Sequence, residues 1–394
     1  MKTTHSILFD DSRNMRNIQS GTIDLIVTSP PYPMIEMWDN LFTELNQDIE
    51  KVIKANNVAF AFELMHNQLD PVWDECYRIL KEGGIACINI GDATRTINND
   101  FALYPNHARI LSHMLKIGFS ALPAIIWRKQ TNAPNKFMGS GMLPPGAYVT
   151  LEHEYILILR KGSKMKFISE GEKITRRESA FFWEERNCWF SDVWMDLKGA
   201  SQNLNDERIR VRSAAFPIEL PYRLVNMFSV KGGIVLDPFL GTGTTVFAAM
   251  ASSRNSVGFE LDPNFSDVIV NQNDLIVPYS NSIITQRLAK HDKFINDRIE
   301  AGHRFKHKNK HYGFPVITKQ EVDLLINPLI PENWKSYSFH ARYRGILFEV
   351  GVTRDFVTIN NLSEKPLKLV ISDKECQVEG LKKLVLNLKL DIYS

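Results

Sequence analysis

The 394-residue chain reads as an α/β protein with a mostly parallel sheet and an extra C-terminal region. Two units predict this. Between residues 39 and 81 apolar side chains (Leu41, Phe42, Leu45, Ile49, Val52, then Val72, Tyr77 and Leu80) recur at helical spacing, closed by Gly83-Gly84 and followed by an apolar run over 85–90. Helix, glycine, then strand is the succession of a parallel crossover. In the second unit an apolar run over 233–237 passes through a Gly-rich turn into a helical stretch at 244–253 and a further strand at 256–260.

The remaining elements follow in chain order. A short strand at 6–9 ends in Asp10-Asp11-Ser12, and a second at 23–28 ends in Ser29-Pro30-Pro31-Tyr32. Strands at 125–129 and 155–159 flank a Pro/Gly-rich loop at 131–146, whose length points to a functional or mobile segment. From 161 to 212 periodicity is lost, and basic residues (Arg176, Arg177, Arg186 among them) alternate with aromatics such as Phe181, Trp183 and Trp189, a pattern suited to nucleic-acid contact. A basic, histidine-rich run covers 303–312, and 344–390 alternates like antiparallel strands. The three histidines of that run lack the cysteine or carboxylate partners of a metal site, so no metal is expected.

Composition bounds the class without naming a partner. With 44% apolar residues the chain can bury a sizeable core, and 47 basic against 45 acidic residues leave a net charge of +2, which neither requires nor excludes DNA. Four scattered cysteines without a C-x-x-C pair, and no secretory leader at the start, suggest a reduced, cytoplasmic protein. No apolar stretch approaches the ~20 residues of a membrane span.

The chemistry concentrates at Ser29-Pro30-Pro31-Tyr32. Two prolines stiffen the turn, Ser29 Oγ and the Pro30 carbonyl can each accept one N–H of an exocyclic amine, and the Tyr32 ring can stack on the attached base. The amine lone pair is conjugated into its ring. Two acceptors drawing on its N–H bonds favour the sp³ geometry that attack on a methyl group needs.

Taken with Asp237-Pro238-Phe239-Leu240-Gly241-Thr242-Gly243-Thr244-Thr245, the chain resembles the amino-methylating DNA methyltransferases, in which S-P-P-Y is the catalytic motif and D-P-F-x-G-x-G the S-adenosylmethionine loop. The catalytic motif comes first, as in the beta class. The resemblance covers roughly the first 275 residues. It implies a Rossmann-like S-adenosylmethionine-dependent methyltransferase fold in permuted order, with Ser29, Pro30, Pro31 and Tyr32 catalytic. It also implies a cofactor site of Asp11, Thr28, Asp237, Pro238, Phe239, Gly241, Gly243, Thr244, Thr245 and Glu260, the two glycines admitting close backbone approach and Glu260 accepting the ribose hydroxyls. Where the family commonly has a histidine four residues before Phe216, this chain has Arg212.

The expected organisation is a catalytic half at 1–162, a target-recognition region at 163–212 with Arg176, Arg177 and Arg186 on double-stranded DNA, a cofactor half at 213–276, and an accessory region at 277–394. Serine in the first clamp position favours cytosine N4 as the methylated amine in a flipped-out base. Adenine N6 and a non-catalytic DNA-recognition subunit are the alternatives, with RNA a weaker substrate. His153 and Glu154, ahead of the 155–159 strand, read as structural. A cognate restriction endonuclease is a possible partner.

Overall fold

The computed structural model describes residues 2–129, 138–199, 216–329, 336–343, 346–353, 356–361, 363–371, 374–380 and 382–387. Arg212 and the first part of the 131–146 loop, 131–137, lie outside them. Eight strands carry the catalytic and cofactor halves: His5–Phe9, Ile23–Thr28, Leu80–Ile90, Phe119–Arg128, His153–Lys161, Val193–Trp194, Ile234–Asp237 and Asn255–Glu260. Named by first residue, their order across the sheet is 193, 119, 153, 80, 23, 234, 255, 5. Only His153–Lys161 runs against the rest.

The central strands are buried on both faces, and their sequences are accordingly continuous apolar runs rather than alternations. One face sets Ile26, Ala86, Ile88 and Leu236 against Leu69 and Trp73 of helix Val58–Ile79 and Ile110 and Met114 of helix Asn106–Lys116. The other sets Leu25, Val27, Cys87 and Val235 against Leu220 and Leu224 of helix Glu219–Phe228 and Ala248 of helix Thr244–Ala251. From the adjacent strands Ile23–Thr28 and Ile234–Asp237 the chain crosses over in opposite directions along the sheet. That divergence opens a crevice beyond their carboxyl ends, the place where open α/β sheets bind ligands.

Several elements differ from the sequence expectation. The helical stretch at 39–81 is three helices, Asp39–Leu45, Asp48–Lys54 and Val58–Ile79, and the next strand begins at Leu80, so Gly83-Gly84 lie inside a strand. Gly83 has φ +81°, and a Cβ there would sit 2.5 Å from the Met165 backbone nitrogen, so this glycine serves close chain approach rather than helix closure. The helix at Asn106–Lys116 was not among the expected elements, although Gly118, at φ +112° just past its C-cap Ile117, marks its end.

Within the aperiodic stretch lie helices Glu170–Glu178, with a Ser169/Glu172 capping box, and Trp183–Trp189. The boundary expected at 276 falls inside one 36-residue helix, Phe265–Glu300. This helix is fastened to the core: Arg287 donates to both oxygens of Glu185 (2.5 and 2.7 Å) and to the Tyr222 hydroxyl (2.9 Å), with Arg287 buried and the Glu185 side chain 11% exposed. Beyond it, Ser336–Tyr343 pairs in parallel with the outer edge of His5–Phe9 (Leu8 with His340, Phe9 with Ala341) and continues antiparallel into Ile346–Thr353, Phe356–Asn361 and Lys383–Asn387.

The C-terminal region therefore closes the core instead of hanging from it. Removing one member of a buried ion pair strands the other, at about 3 to 5 kcal/mol. Glu185→Ala is expected to lower unfolding stability by that amount, and truncation after residue 276, which removes Arg287, to impair folding; denaturant titration followed by circular dichroism checks both.

Candidate active site

The crevice is a cleft of about 1170 Å³. Ser29 and Pro31 line it from the end of one strand, Pro238, Phe239 and Gly241 from the end of its neighbour, Asp11 from the end of His5–Phe9, and Glu260 from the end of Asn255–Glu260. Four strand ends thus bring together residues from opposite ends of the catalytic and cofactor halves.

Beneath the cleft the two motifs are joined. Thr28 Oγ1 donates to Asp237 Oδ1 at 2.6 Å, and both residues are buried. The Phe239 N–H donates to the same oxygen at 3.1 Å, and the Thr245 hydroxyl reaches the Val27 carbonyl at 3.4 Å. Burial pushes the Asp237 carboxyl up to about 6, against the opposing pull of the Thr28 and Phe239 donors. Thr28, Asp237 and Thr245, expected at the cofactor, form the floor that holds its loop and do not line the cleft.

The two glycines of the loop separate in role. Gly241 has φ +54°, and a Cβ added there would meet no protein atom, so it would project into the open cleft. Gly243 has φ +87° and faces inward, its would-be Cβ 3.3 Å from both Ile269 and Phe247, while its backbone starts helix Thr244–Ala251. Of the two, Gly241 is the one whose backbone is open to the cleft. Gly243 is required by conformation and packing, and the Thr244 hydroxyl faces Thr242 at 3.3 Å.

Glu260 is the ordering carboxylate of the cofactor side. One oxygen accepts the Gly241 N–H at 2.8 Å, the other the Asp262 N–H at 2.9 Å. Burial raises its carboxyl to about 7 despite those two donors. Asp11 is held by Arg13, whose guanidinium reaches it at 2.6 Å.

The clamp is more deeply tied than the sequence suggests. Tyr32 is only 6% exposed and does not line the cleft. Its hydroxyl lies 3.0 Å from Ser29 Oγ, donates to Glu154 Oε2 at 3.0 Å and accepts from Asn89 Nδ2 at 2.9 Å. Asn89 also donates to Glu154 Oε2 (2.7 Å), and Lys129 Nζ to Glu154 Oε1 (2.9 Å). Burial, reinforced by the Glu154 carboxylate, holds the phenol well above its ordinary pKa. Asn106 Nδ2 ties the same loop down by donating to the carbonyls of Pro33 (3.1 Å) and Gly91 (3.0 Å).

Sequence reasoning read Glu154 as structural and passed over Asn89, Lys129 and Asn106. A Glu one residue ahead of a buried apolar strand was the signal available for Glu154. Of the expected DNA contacts, Arg176 lies over the Phe167 ring (4.8 Å), Arg177 pairs with Asp323 (3.2 Å) and Arg186 lies over Phe190 (5.7 Å); none lines the cleft. Among the described residues one group, Glu184, His291 and Glu321, has donors close enough to share an ion. Its histidine already engages Glu184 (2.8 Å) and the Pro315 carbonyl (3.1 Å).

This strand order, with a cleft at the reversal point and a Gly-rich loop on its floor, defines the S-adenosylmethionine-dependent methyltransferase fold. The family model described as DNA methylase matches residues 23–271, and the chain belongs to that family. The clamp precedes the cofactor loop, so it is of the beta class. Type II methyltransferase M.MthZI of Methanothermobacter thermautotrophicus is 50% identical over 348 residues, spanning 88% of this chain and 97% of the relative. M.MjaI of Methanocaldococcus jannaschii is 51% identical over 278 residues, 68% of this chain and 90% of the relative. The structure of a DNA modification methylase from Thermus thermophilus in complex with S-adenosyl-L-methionine superposes with a TM-score of 0.55 at 30% identity, covering 70% of this chain and 95% of that one. A model of the C-terminal domain of glycosyl hydrolase family 65 matches residues 321–378 and brings no further assignment.

The cofactor is S-adenosylmethionine, and the residues present fit it: an open backbone at Gly241, a buried ordered carboxylate at Glu260 and apolar walls at Phe239, Phe259 and Phe265. Glu260 titrates higher in the folded chain than its ordinary 4.5, so its share of stability is full below about pH 4.5 and lost as pH rises through about 7. The difference amounts to at most about 3 kcal/mol. Glu260→Gln, which carries no such titration, is expected to gain stability relative to the unsubstituted protein as pH rises from about 4.5 to about 8, in melts without cofactor. With cofactor present the same variant is expected to bind it about 10-fold or more weakly, by loss of a charged acceptor; calorimetry measures this.

Proposed function

We propose that the chain is a Type II, sequence-specific DNA methyltransferase that transfers the methyl group of S-adenosylmethionine to the exocyclic N4 amine of a flipped-out cytosine, as the modification partner of a restriction endonuclease. The observation that carries this reading is Ser29, which stands at the wall of the cleft together with Pro238 and Phe239, with its hydroxyl neighbour Tyr32 fixed behind it. The bound cofactor supplies an electrophilic methyl group. Ser29 Oγ and the Pro30 carbonyl take the two N–H bonds of the amine and turn its lone pair toward that group, while the rigid prolines hold the approach near roughly 3 to 3.5 Å. The two methyltransferases M.MthZI and M.MjaI, by their names, support a Type II system.

Extracting a base from the duplex costs a few kcal/mol. Stacking on Tyr32 would recover roughly 1 to 3 kcal/mol of that, and requires the base to reach a ring that is 6% exposed without DNA. Tyr32 therefore holds the clamp in shape first and meets the base second. Arg176, Arg177 and Arg186 are assigned to the phosphates flanking the site, Arg177 exchanging Asp323 for DNA.

Nucleoside digestion and mass spectrometry of DNA methylated in vitro tests the base: N4-methylcytosine is expected, and N6-methyladenine alone would overturn the cytosine reading. The recognition region is tested by salt. Arg176→Glu with Arg186→Glu is expected to weaken DNA binding and to flatten the slope of log K against log salt by about 0.9 for each phosphate contact removed, read by fluorescence anisotropy; an unchanged slope removes both arginines from the interface.

A further inference from the structure

Counting protons around Tyr32 gives the clamp a direction. The Tyr32 hydroxyl has one proton, and it goes to Glu154 Oε2 at 3.0 Å. Its oxygen accepts from Asn89 Nδ2 at 2.9 Å. The amide cannot be turned over, because its other near neighbour at that end, Glu154 Oε2 at 2.7 Å, only accepts. In the 3.0 Å contact between Ser29 and Tyr32 the phenol has no proton left to give, so Ser29 Oγ is the donor. The serine proton thus points away from the cleft, and the serine lone pairs are what remain for a ligand. Lys129 Nζ on the other Glu154 oxygen (2.9 Å) fixes the carboxylate, which is 13% exposed.

We propose that Glu154 is a positioning residue for methyl transfer and the terminus of a proton relay, Ser29 to Tyr32 to Glu154, that serves the amine whichever base carries it. The proposal rests on the reading that Ser29 holds the amine. The lone pair of the amine nitrogen forms the new bond to the methyl carbon, and the carbon–sulfur pair returns to sulfur. The nitrogen is then one proton in excess. That proton passes to Ser29 Oγ as the serine proton moves to Tyr32 Oη and the tyrosine proton to Glu154 Oε2. One sulfonium charge and one carboxylate charge disappear together, leaving a neutral thioether, a neutral methylated amine and a carboxylic acid, which returns its proton to solvent before the next turnover.

The relay is distinguished from a merely structural contact by how kcat and KM divide. Glu154→Gln keeps the size and an acceptor oxygen for Tyr32 but carries no charge to neutralise, and Tyr32→Phe keeps the ring and removes the middle oxygen. Each is expected to lower kcat by ~100-fold, within the usual range for a positioned acid or base, with KM for DNA and for S-adenosylmethionine within about 3-fold. The double variant is expected to be no slower than either single one, because both cut the same path. Circular dichroism and melting show that each variant is folded; if Glu154→Gln is not, Tyr32→Phe alone carries the test. Wild-type kcat in either folded variant, or losses that multiply in the double variant, overturns the relay. Ser29→Ala separates this from the underlying assignment: a slow Ser29→Ala beside a fast Glu154→Gln removes the relay and leaves the clamp, whereas a fast Ser29→Ala removes the clamp and the relay with it.

Discussion

The architecture depends on one buried hydrogen bond, from Thr28 to Asp237. It joins two strand ends 209 residues apart in sequence, one leading into Ser29-Pro30-Pro31-Tyr32 and the other into Pro238-Phe239-Leu240-Gly241. Methyl transfer loses much of its rate if acceptor and donor are misplaced by an ångström, and here both loops leave from residues joined by that hydrogen bond. The bond is possible because the two strands are parallel neighbours in register, Val235 beside Leu25 and Leu236 beside Ile26. Breaking it would leave Asp237 in an apolar setting with fewer donors, at a cost of about 1 to 3 kcal/mol. The order in which the motifs occur along the chain is then immaterial, since the sheet brings the same two ends together.

The parts of the fold that local sequence encodes were legible. Ile23–Thr28 and Ile234–Asp237 are short apolar runs closed by proline, and the Gly-rich turn falls between strand and helix as expected. What could not be read depends on contacts made across the sheet. Glu154 stands 122 positions from Tyr32 and meets it because His153–Lys161 runs antiparallel beside Leu80–Ile90, which sets Asn89 opposite Ile156. Nothing in the local pattern of His153 and Glu154 tells a buried carboxylate from an exposed one. The distinction between Gly241 and Gly243 is likewise hidden, for a φ near +54° or +87° favours glycine in either case, and only the surroundings show which one faces the cleft.

The stretch expected to recognise DNA illustrates a different limit. Its aromatic residues are largely committed to packing: Phe182 is fully buried and stacks on His291 at 4.0 Å, and Trp189 and Trp194 belong to the core on one face of the sheet. Basic residues interleaved with aromatics are therefore also the composition of a segment that fastens a long helix to the core through Glu185 and Arg287. The same composition suits either need, and alone it does not separate them. The exposed arginines remain available for phosphate, while the buried rings fix where they stand.

Placing a carboxylate behind a serine, rather than against the substrate, has a physical consequence for the clamp. A carboxylate in direct contact with the amine would carry a full charge into the cleft beside the ring nitrogen, which is itself an acceptor. Glu154 instead keeps its charge beneath the cleft, where Lys129, Asn89 and Tyr32 satisfy both oxygens, and acts through two hydroxyl groups. The atom nearest the base is then neutral in the resting protein. In the proposed mechanism it becomes basic only as positive charge develops on nitrogen, so the interaction is stronger in the transition state than in the ground state, which is the condition for it to raise the rate rather than merely tighten binding.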